Sequence, residues 1–175
     1  MRVFLLDPTR AYYQRQVETA SGQPLRAIQR ELDRLTEAGL LYRREEGNRA
    51  YYQVDPDFAL YPELRALVLK AAPPADVLRS IVALDGAVRL CFLAGDGQHA
   101  LAVGTGASRP AVPLVKGIAV EALTSDEFIE ALRTNRATLD PYLRDGCDLL
   151  GRREDVIWRR IDKAGYTVRK GVGVP

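Results

Sequence analysis

Arginines 26, 30 and 34 recur at steps of four with Gln29 beside them, and Arg43, Arg44 and Arg49 flank a Glu46-Gly47-Asn48 tip. A guanidinium presents a rigid fork of N–H donors that matches phosphate oxygens and the outer edge of guanine, and a glutamine carboxamide matches adenine. Steps of four place Arg26, Arg30 and Arg34 along one side of a helix. The chemistry these residues suit is recognition of a nucleic-acid duplex. Arg26 and Arg30 would read bases, with Gln29 at the flank and Arg34 continuing the face. Arg43, Arg44, Asn48 and Arg49 would reach phosphate or a neighbouring minor groove. Upstream, Thr9, Arg10, Tyr12 and Arg15 suit phosphate contacts that fix register. The competing reading is a solvated helix face, since Glu31, Asp33 and Glu37 offer intrahelical partners to the same arginines.

Other chemistry is thinly supplied. His99 is the only histidine, which excludes a multi-histidine metal site within one chain. Cys91 and Cys147 fit no metal spacing, and Cys91 lies in Val88-Arg89-Leu90-Cys91-Phe92-Leu93, which reads as a buried strand with an inert thiol. Gly95-x-Gly97 and Gly104-x-Gly106 lack the full spacing of a dinucleotide or Walker loop and read as hairpin turns. His99 with Ser108 or Ser125 forms no nucleophile-elbow sequence. No catalytic set, metal site, cofactor motif or effector is identified.

The elements that must position the arginines follow from periodicity. Asp7-Pro8 stops a short apolar piece, Val3-Phe4-Leu5-Leu6, and a helix is predicted from about Arg10 to Ala20 with Tyr13, Val17 and Ala20 facing inward. Ser21-Gly22-Gln23-Pro24 is a turn. A second helix, 24–38, carries the apolar stripe Leu25, Ile28, Leu32 and Leu35 and ends at Gly39. Two extended segments, Leu41 to Glu45 and Arg49 to Val54, then form a hairpin, with a wing at 43–51.

Turn, helix and arginine-tipped hairpin in this order resemble the winged helix-turn-helix of small prokaryotic regulators of the ArsR and MarR type. The apolar residues from Leu25 to Leu41, the helix-ending Glu37-Ala38-Gly39-Leu40 and the wing Glu46-Gly47-Asn48-Arg49 carry the likeness, which covers under a third of the chain. The resemblance implies transcriptional regulation by a homodimer on paired half-sites of double-stranded DNA. One departure is plain: only a few residues precede Asp7-Pro8 where such domains have a full first helix. That helix is expected to be truncated, or completed by a partner or by the second half.

The expected organisation is α+β: a winged helix-turn-helix over 1–60, a connecting helix over 61–74, and a small α/β domain over 75–175. In the second half, a helix at 75–84, a strand near 87–94, a turn at Gly95-Asp96-Gly97-Gln98 and a strand at 99–104 are predicted. Extended chain within Val112 to Leu123, a helix capped by Ser125 and running to about Asn135, and helices at 136–146 and 151–164 follow. That order, with the connection Asp57 to Arg65, is similar to a nucleotidyltransferase-like domain joined to a winged helix. The resemblance implies a Gly-Ser turn and a pair of carboxylates holding Mg²⁺. Here Gly95-Asp96 stands for the turn and Gln98-His99-Ala100 opens the strand, so the domain is expected to be catalytically degenerate. An active Mg²⁺-dependent nucleotidyltransferase drawing on Asp85, Asp96, Glu121 and Asp126 is one alternative, and an architectural or plasmid-maintenance DNA binder is another.

Charge does not decide between these. The net charge is +2, so any electrostatic footprint must come from placement. Arg outnumbers Lys 21 to 4, which suits phosphate recognition and equally fits a GC-rich coding bias. No run is long and apolar enough to span a bilayer and no secretion pattern opens the chain, so a cytoplasmic protein is expected.

Overall fold

The computed structural model describes residues 1–171 as a mixed α+β chain that divides into two units, Met1–Asp76 and the residues from Val77 onward. No helix among the described residues is long and apolar enough to cross a membrane.

The first unit runs α1 (Arg2–Leu6), β1 (Tyr12–Tyr13), α2 (Gln14–Ser21), α3 (Leu25–Glu37), β2 (Leu41–Glu46), β3 (Arg49–Val54) and α4 (Tyr61–Ala71). The strands form an antiparallel sheet in the order β1-β3-β2, with Tyr12 opposite Tyr52 and Leu41 opposite Val54. Phe4, Leu5, Tyr12, Val17, Ile28, Leu32, Leu41 and Val54 make the core. The apolar piece before Asp7-Pro8 is a helix of only five residues, yet Phe4, Leu5 and Leu6 are all buried. Tyr61, Leu64 and Val68 of α4 pack against the same core, so a later helix of the same unit supplies cover for the short first one.

The helix expected from Arg10 begins four residues later, at Gln14. Tyr12 and Tyr13 are drawn into the sheet by pairing with Tyr52 and Tyr51, and aromatic residues favour such cross-strand pairs. The Gln16 side chain then accepts the Tyr13 N–H at 3.1 Å and starts α2. At the far end of α3, Gly39 takes φ +81°, Leu40 N–H reaches Leu35 C=O at 3.0 Å and Gly39 N–H reaches Thr36 C=O at 3.0 Å. That pair of bonds satisfies the last carbonyls and turns the chain directly into β2.

The second unit is built on α5 (Pro74–Leu84), which starts just before the boundary. There follow β4 (Val88–Leu93), β5 (His99–Gly104), β6 (Ala119–Leu123), α6 (Ser125–Thr134), α7 (Asp140–Leu143), β7 (Cys147–Asp148), α8 (Trp158–Lys163) and β8 (Arg169–Lys170). The sheet order is β6-β5-β4-β7-β8, with β4 antiparallel to both neighbours and the outer pairs parallel. Leu90, Phe92, Leu101 and Val103 from one face of the sheet form a core with Phe128, Leu143, Trp158 and Ile161.

Three expectations for this unit change. The cap of α6 is Thr124, not Ser125: Thr124 Oγ1 accepts the Glu127 N–H at 3.1 Å while the Glu127 carboxylate accepts the Thr124 N–H at 2.8 Å. The Ser125 hydroxyl donates instead to Gly104 C=O at 2.6 Å. The helix expected over 136–146 is a 3-10 turn, Arg136–Thr138, and the short α7, because Gly146 lies where a Cβ would collide with the carbonyl oxygens of Leu93 and Tyr142. The helix expected over 151–164 shortens to Trp158–Lys163, since the preceding loop is held by Asp148, whose Oδ1 accepts from Leu150 and Gly151 N–H. Of the tail, Val172 to Pro175 lie outside the described residues.

Candidate nucleic-acid interface

Gly22 makes the turn between α2 and α3 by taking φ +67° and donating its N–H to Glu18 C=O at 2.8 Å. Pro24 then precedes the first turn of α3 with φ already near the helical value. Ile28 and Leu32 of the predicted stripe are buried, and Leu35 is half-buried. Leu25 is not in the core: it is 38% exposed at the start of the helix. At about 100° per residue, Leu25 and Gln29 lie on one flank of the buried stripe, whereas Arg26, Arg30 and Arg34 lie across from it.

Arg26, Gln29, Arg30 and Arg34 are all exposed, and among the described residues no ion pair or side-chain hydrogen bond engages them or Arg15 of α2. The intrahelical pairing offered by Glu31, Asp33 and Glu37 is therefore not made in this structure. Four guanidiniums on α2 and α3 stand with their donor forks uncommitted.

The wing is arranged differently. Glu46 pairs with Arg49, so Gly47 and Asn48 form a two-residue turn; Gly47 takes φ +59° and Asn48 does not take a positive φ. A positive φ at the first turn residue alone suits glycine there and matches the twist of the two strands. Arg43 pairs with Glu45 at 2.7 Å, and Arg44 with Glu46 at 3.6 Å. Hydrogen bonding to Tyr52 and the charge of Glu45 hold the Arg43 guanidinium above its ordinary pKa. Arg49 has no acidic partner among the described residues; its guanidinium lies 4.9 Å over the Tyr13 ring, which meets Tyr51 edge-on at 6.0 Å. Stacking leaves the in-plane N–H groups of Arg49 available to an anion.

Tyr13, Arg15, Leu25, Arg43, Asn48 and Arg49 line one recess of about 600 Å³. Four of the residues predicted as contacts, Arg15, Arg43, Asn48 and Arg49, thus share one concave surface. Arg26, Gln29, Arg30 and Arg34 form the adjoining face of α3. Thr9 and Arg10 do not line the recess: the Thr9 carbonyl accepts from Gln53 Nε2 at 3.2 Å, and Arg10 stacks over Tyr12 at 4.7 Å. Tyr12, expected as a phosphate contact, is only 4% exposed and its hydroxyl donates to Asp7 Oδ2 at 3.0 Å, so it is a core residue. Its neighbour Tyr13 holds the position on the recess; the alternation of a strand assigns one of two adjacent tyrosines inward and the other outward.

In the second unit, the carboxylates considered for metal binding are occupied locally or dispersed. Asp85 Oδ1 accepts from Ala87 N–H at 2.8 Å, and Asp96 accepts from Gln98 N–H and meets His99 Nδ1 at 2.6 Å. Those bonds hold the Asp96 carboxyl below its ordinary pKa. Among the described residues no group of three or more His, Cys, Asp or Glu is placed to hold a metal ion. Burial pushes the Cys91 thiol up to about 12, which keeps it protonated and unreactive.

Comparison with known protein families, with curated proteins and with solved structures returned no match to this chain.

Proposed function

We propose that this chain is a sequence-specific regulator that binds double-stranded DNA as a homodimer. The observation that carries the proposal is the set of exposed, unpaired arginines on α2 and α3 beside an arginine-bearing wing. Helix α3 buries Ile28 and Leu32 on its own unit and offers Arg26, Gln29, Arg30 and Arg34 outward, as a helix in the major groove must. The order α1-β1-α2-α3-β2-β3, with a sheet arranged β1-β3-β2, supports reading this unit as a winged helix-turn-helix. Arg26 and Arg30 read bases in this proposal, while Arg15, Asn48 and Arg49 hold a phosphate across the recess. A second copy meets the first through α4 and the residue that precedes it, where Leu67 and Leu60 are 63% and 56% exposed. The second unit serves partnering or sensing on a nucleotidyltransferase-like scaffold that lacks the paired carboxylates of an active site.

The test is a binding titration of the purified protein on genomic fragments over a salt series, followed by footprinting of the tightest fragment. Each neutralised phosphate contributes about −0.9 to the slope of log affinity against log salt. A steep slope with a paired, protected half-site supports the proposal. A flat response overturns DNA binding, and steep but sequence-indifferent binding converts the reading to an architectural protein.

A further inference from the structure

A second concentration of positive charge lies in the second unit, on elements that carry none of the residues assigned to DNA. The last turns of α6 and α8 meet the 3-10 turn around a recess of about 310 Å³ lined by Ile129, Leu132, Arg133, Arg136, Arg160 and Lys163. Among the described residues no carboxylate lines it. The Arg136 guanidinium is fixed there by two carbonyls, donating from Nε to Leu132 C=O at 3.0 Å and from Nη1 to Ala164 C=O at 3.3 Å. Arg133 approaches only Glu130, at 4.0 Å and with both side chains exposed. Arg160 and Lys163 have no side-chain partner among the described residues.

Cations gather at helix C-termini because the terminal carbonyls carry partial negative charge, and that accounts for Arg136. It does not account for the rest. Two helix ends supply roughly −0.5 each and Glu130 a further charge of −1, against four cations, leaving an excess of roughly +2. An excess of this size around a concave surface fits a dianion better than a chloride or a single carboxylate. Arg136 has donors to spare on Nη2, and the planar forks of Arg133 and Arg160 suit bidentate contact with phosphate oxygens. The floor is apolar, formed by Ile129, Leu132 and Ala164. The volume lies at the small end of the roughly 300–1,000 Å³ range of small-molecule sites.

We infer that this recess binds the phosphate group of a small organic phosphate monoester whose apolar body rests on Ile129 and Leu132. The phosphate is held by Arg160 and Lys163 from α8 and by the prepositioned Arg136 and Arg133 from the other side. This inference stands independently of DNA binding by the first unit.

Isothermal titration of the full chain at low ionic strength tests it, with phenyl phosphate, inorganic phosphate and phenol as probes. Phenyl phosphate should bind, inorganic phosphate should bind roughly tenfold more weakly because it buries no ring, and phenol should not bind. The double variant Arg160→Gln/Lys163→Gln should weaken phenyl phosphate at least tenfold with an unchanged thermal midpoint. Arg26→Gln/Arg30→Gln should leave phenyl phosphate binding intact. Absence of phenyl phosphate binding, or equal binding by the Arg160/Lys163 variant, overturns the inference. Equal affinity for inorganic phosphate and phenyl phosphate overturns the role of the apolar floor. Loss of duplex affinity in the Arg160/Lys163 variant, without any binding of phenyl phosphate, also overturns it and assigns the recess to DNA backbone.

Discussion

The arginines of α2 and α3 and most arginines of the second unit stand in opposite states. In the second unit most are tied into the fold. Arg153 donates to the buried Asp148 at 3.1 Å and stacks on Trp158 at 3.8 Å; Arg152 bonds the carbonyls of Ala83 and Val88; Arg89 pairs with Asp155 at 3.0 Å; Arg109 grips Glu127 at 2.7 Å. On α2 and α3, the side chains of Arg15, Arg26, Arg30 and Arg34 engage no partner among the described residues. A long cation left without a partner on an ordered helix contributes little to stability, which is why the proposed function rests on that set. A count of arginines cannot distinguish the two uses; their partners can.

The largest expected difference is in stability. Arg153→Ala leaves the Asp148 carboxylate, which is 0% exposed, without its cation. Breaking a buried pair from one side costs about 3–5 kcal/mol, with Arg153's partial exposure favouring the lower end. Trp158 is the only tryptophan and lies in the second unit, so its fluorescence in urea follows that unit alone. Arg26→Ala, in the first unit and therefore followed by far-ultraviolet circular dichroism in urea, should change stability by no more than about 0.5 kcal/mol. Similar losses from the two substitutions would erase the distinction.

Next is binding. Arg30→Ala should relax base preference at one position of the site and cost about 1–3 kcal/mol there, read by competition among single-base operator variants. Arg49→Ala should weaken all duplexes alike and lower the salt slope by about 0.9. Identical behaviour of the two variants would contradict the assignment of α3 to bases and the wing to phosphate.

What the sequence conveyed about this face, and what it hid, has a physical basis. The 3.6-residue stripe located α3, and Gly39 marked its end, because burial and left-handed backbone leave local signatures. The pairing of Tyr12 with Tyr52 is a contact forty residues distant in sequence, so a two-residue strand hid inside what periodicity read as one helix. The same non-local pairing decided that Tyr12 faces the core and Tyr13 the recess. In the second unit, the helices expected at 136–146 and 151–164 gave way to Gly146 and to Asp148, whose roles depend on close backbone approaches that no local pattern records. Likewise Glu31 and Asp33 have the spacing to pair with the α3 arginines, and only the folded structure shows those pairs unmade.

Acid sharpens the contrast in the second unit. The Arg109 side chain, with the Thr124 N–H, lowers the Glu127 carboxyl from its ordinary 4.5 to about 2. A carboxyl depressed in the folded state stabilises above its unfolded pKa, and that contribution is lost as pH falls from about 4.5 to about 2. Arg109→Ala returns Glu127 toward its ordinary value. Its stability should therefore lie below the native chain's at pH 7 and converge on it toward pH 2, in urea titrations followed through Trp158. Parallel curves across that window would show that Arg109 acts through packing rather than charge.

The smallest effect probes the boundary between the two uses, at the wing, where Arg43 is both exposed and paired. Glu45 lies 2.7 Å from Arg43 and lines the same recess, so it neutralises a cation that the proposed phosphate would otherwise meet. Exposed pairs of this kind are worth about 0.2–1 kcal/mol, and Glu45→Gln removes the competition together with one repulsive charge. Duplex affinity should rise by up to roughly fivefold, through faster association, since rim charges act chiefly on the on-rate. If Arg43 gains a phosphate in the variant, the salt slope steepens by about 0.9; if Arg43 already leaves Glu45 for DNA in the native complex, affinity rises with the slope unchanged. Weaker binding by Glu45→Gln would reverse the assignment. It would make Glu45 a reader in its own right, accepting from a cytosine amino group, and would place the wing in a groove instead of along the backbone.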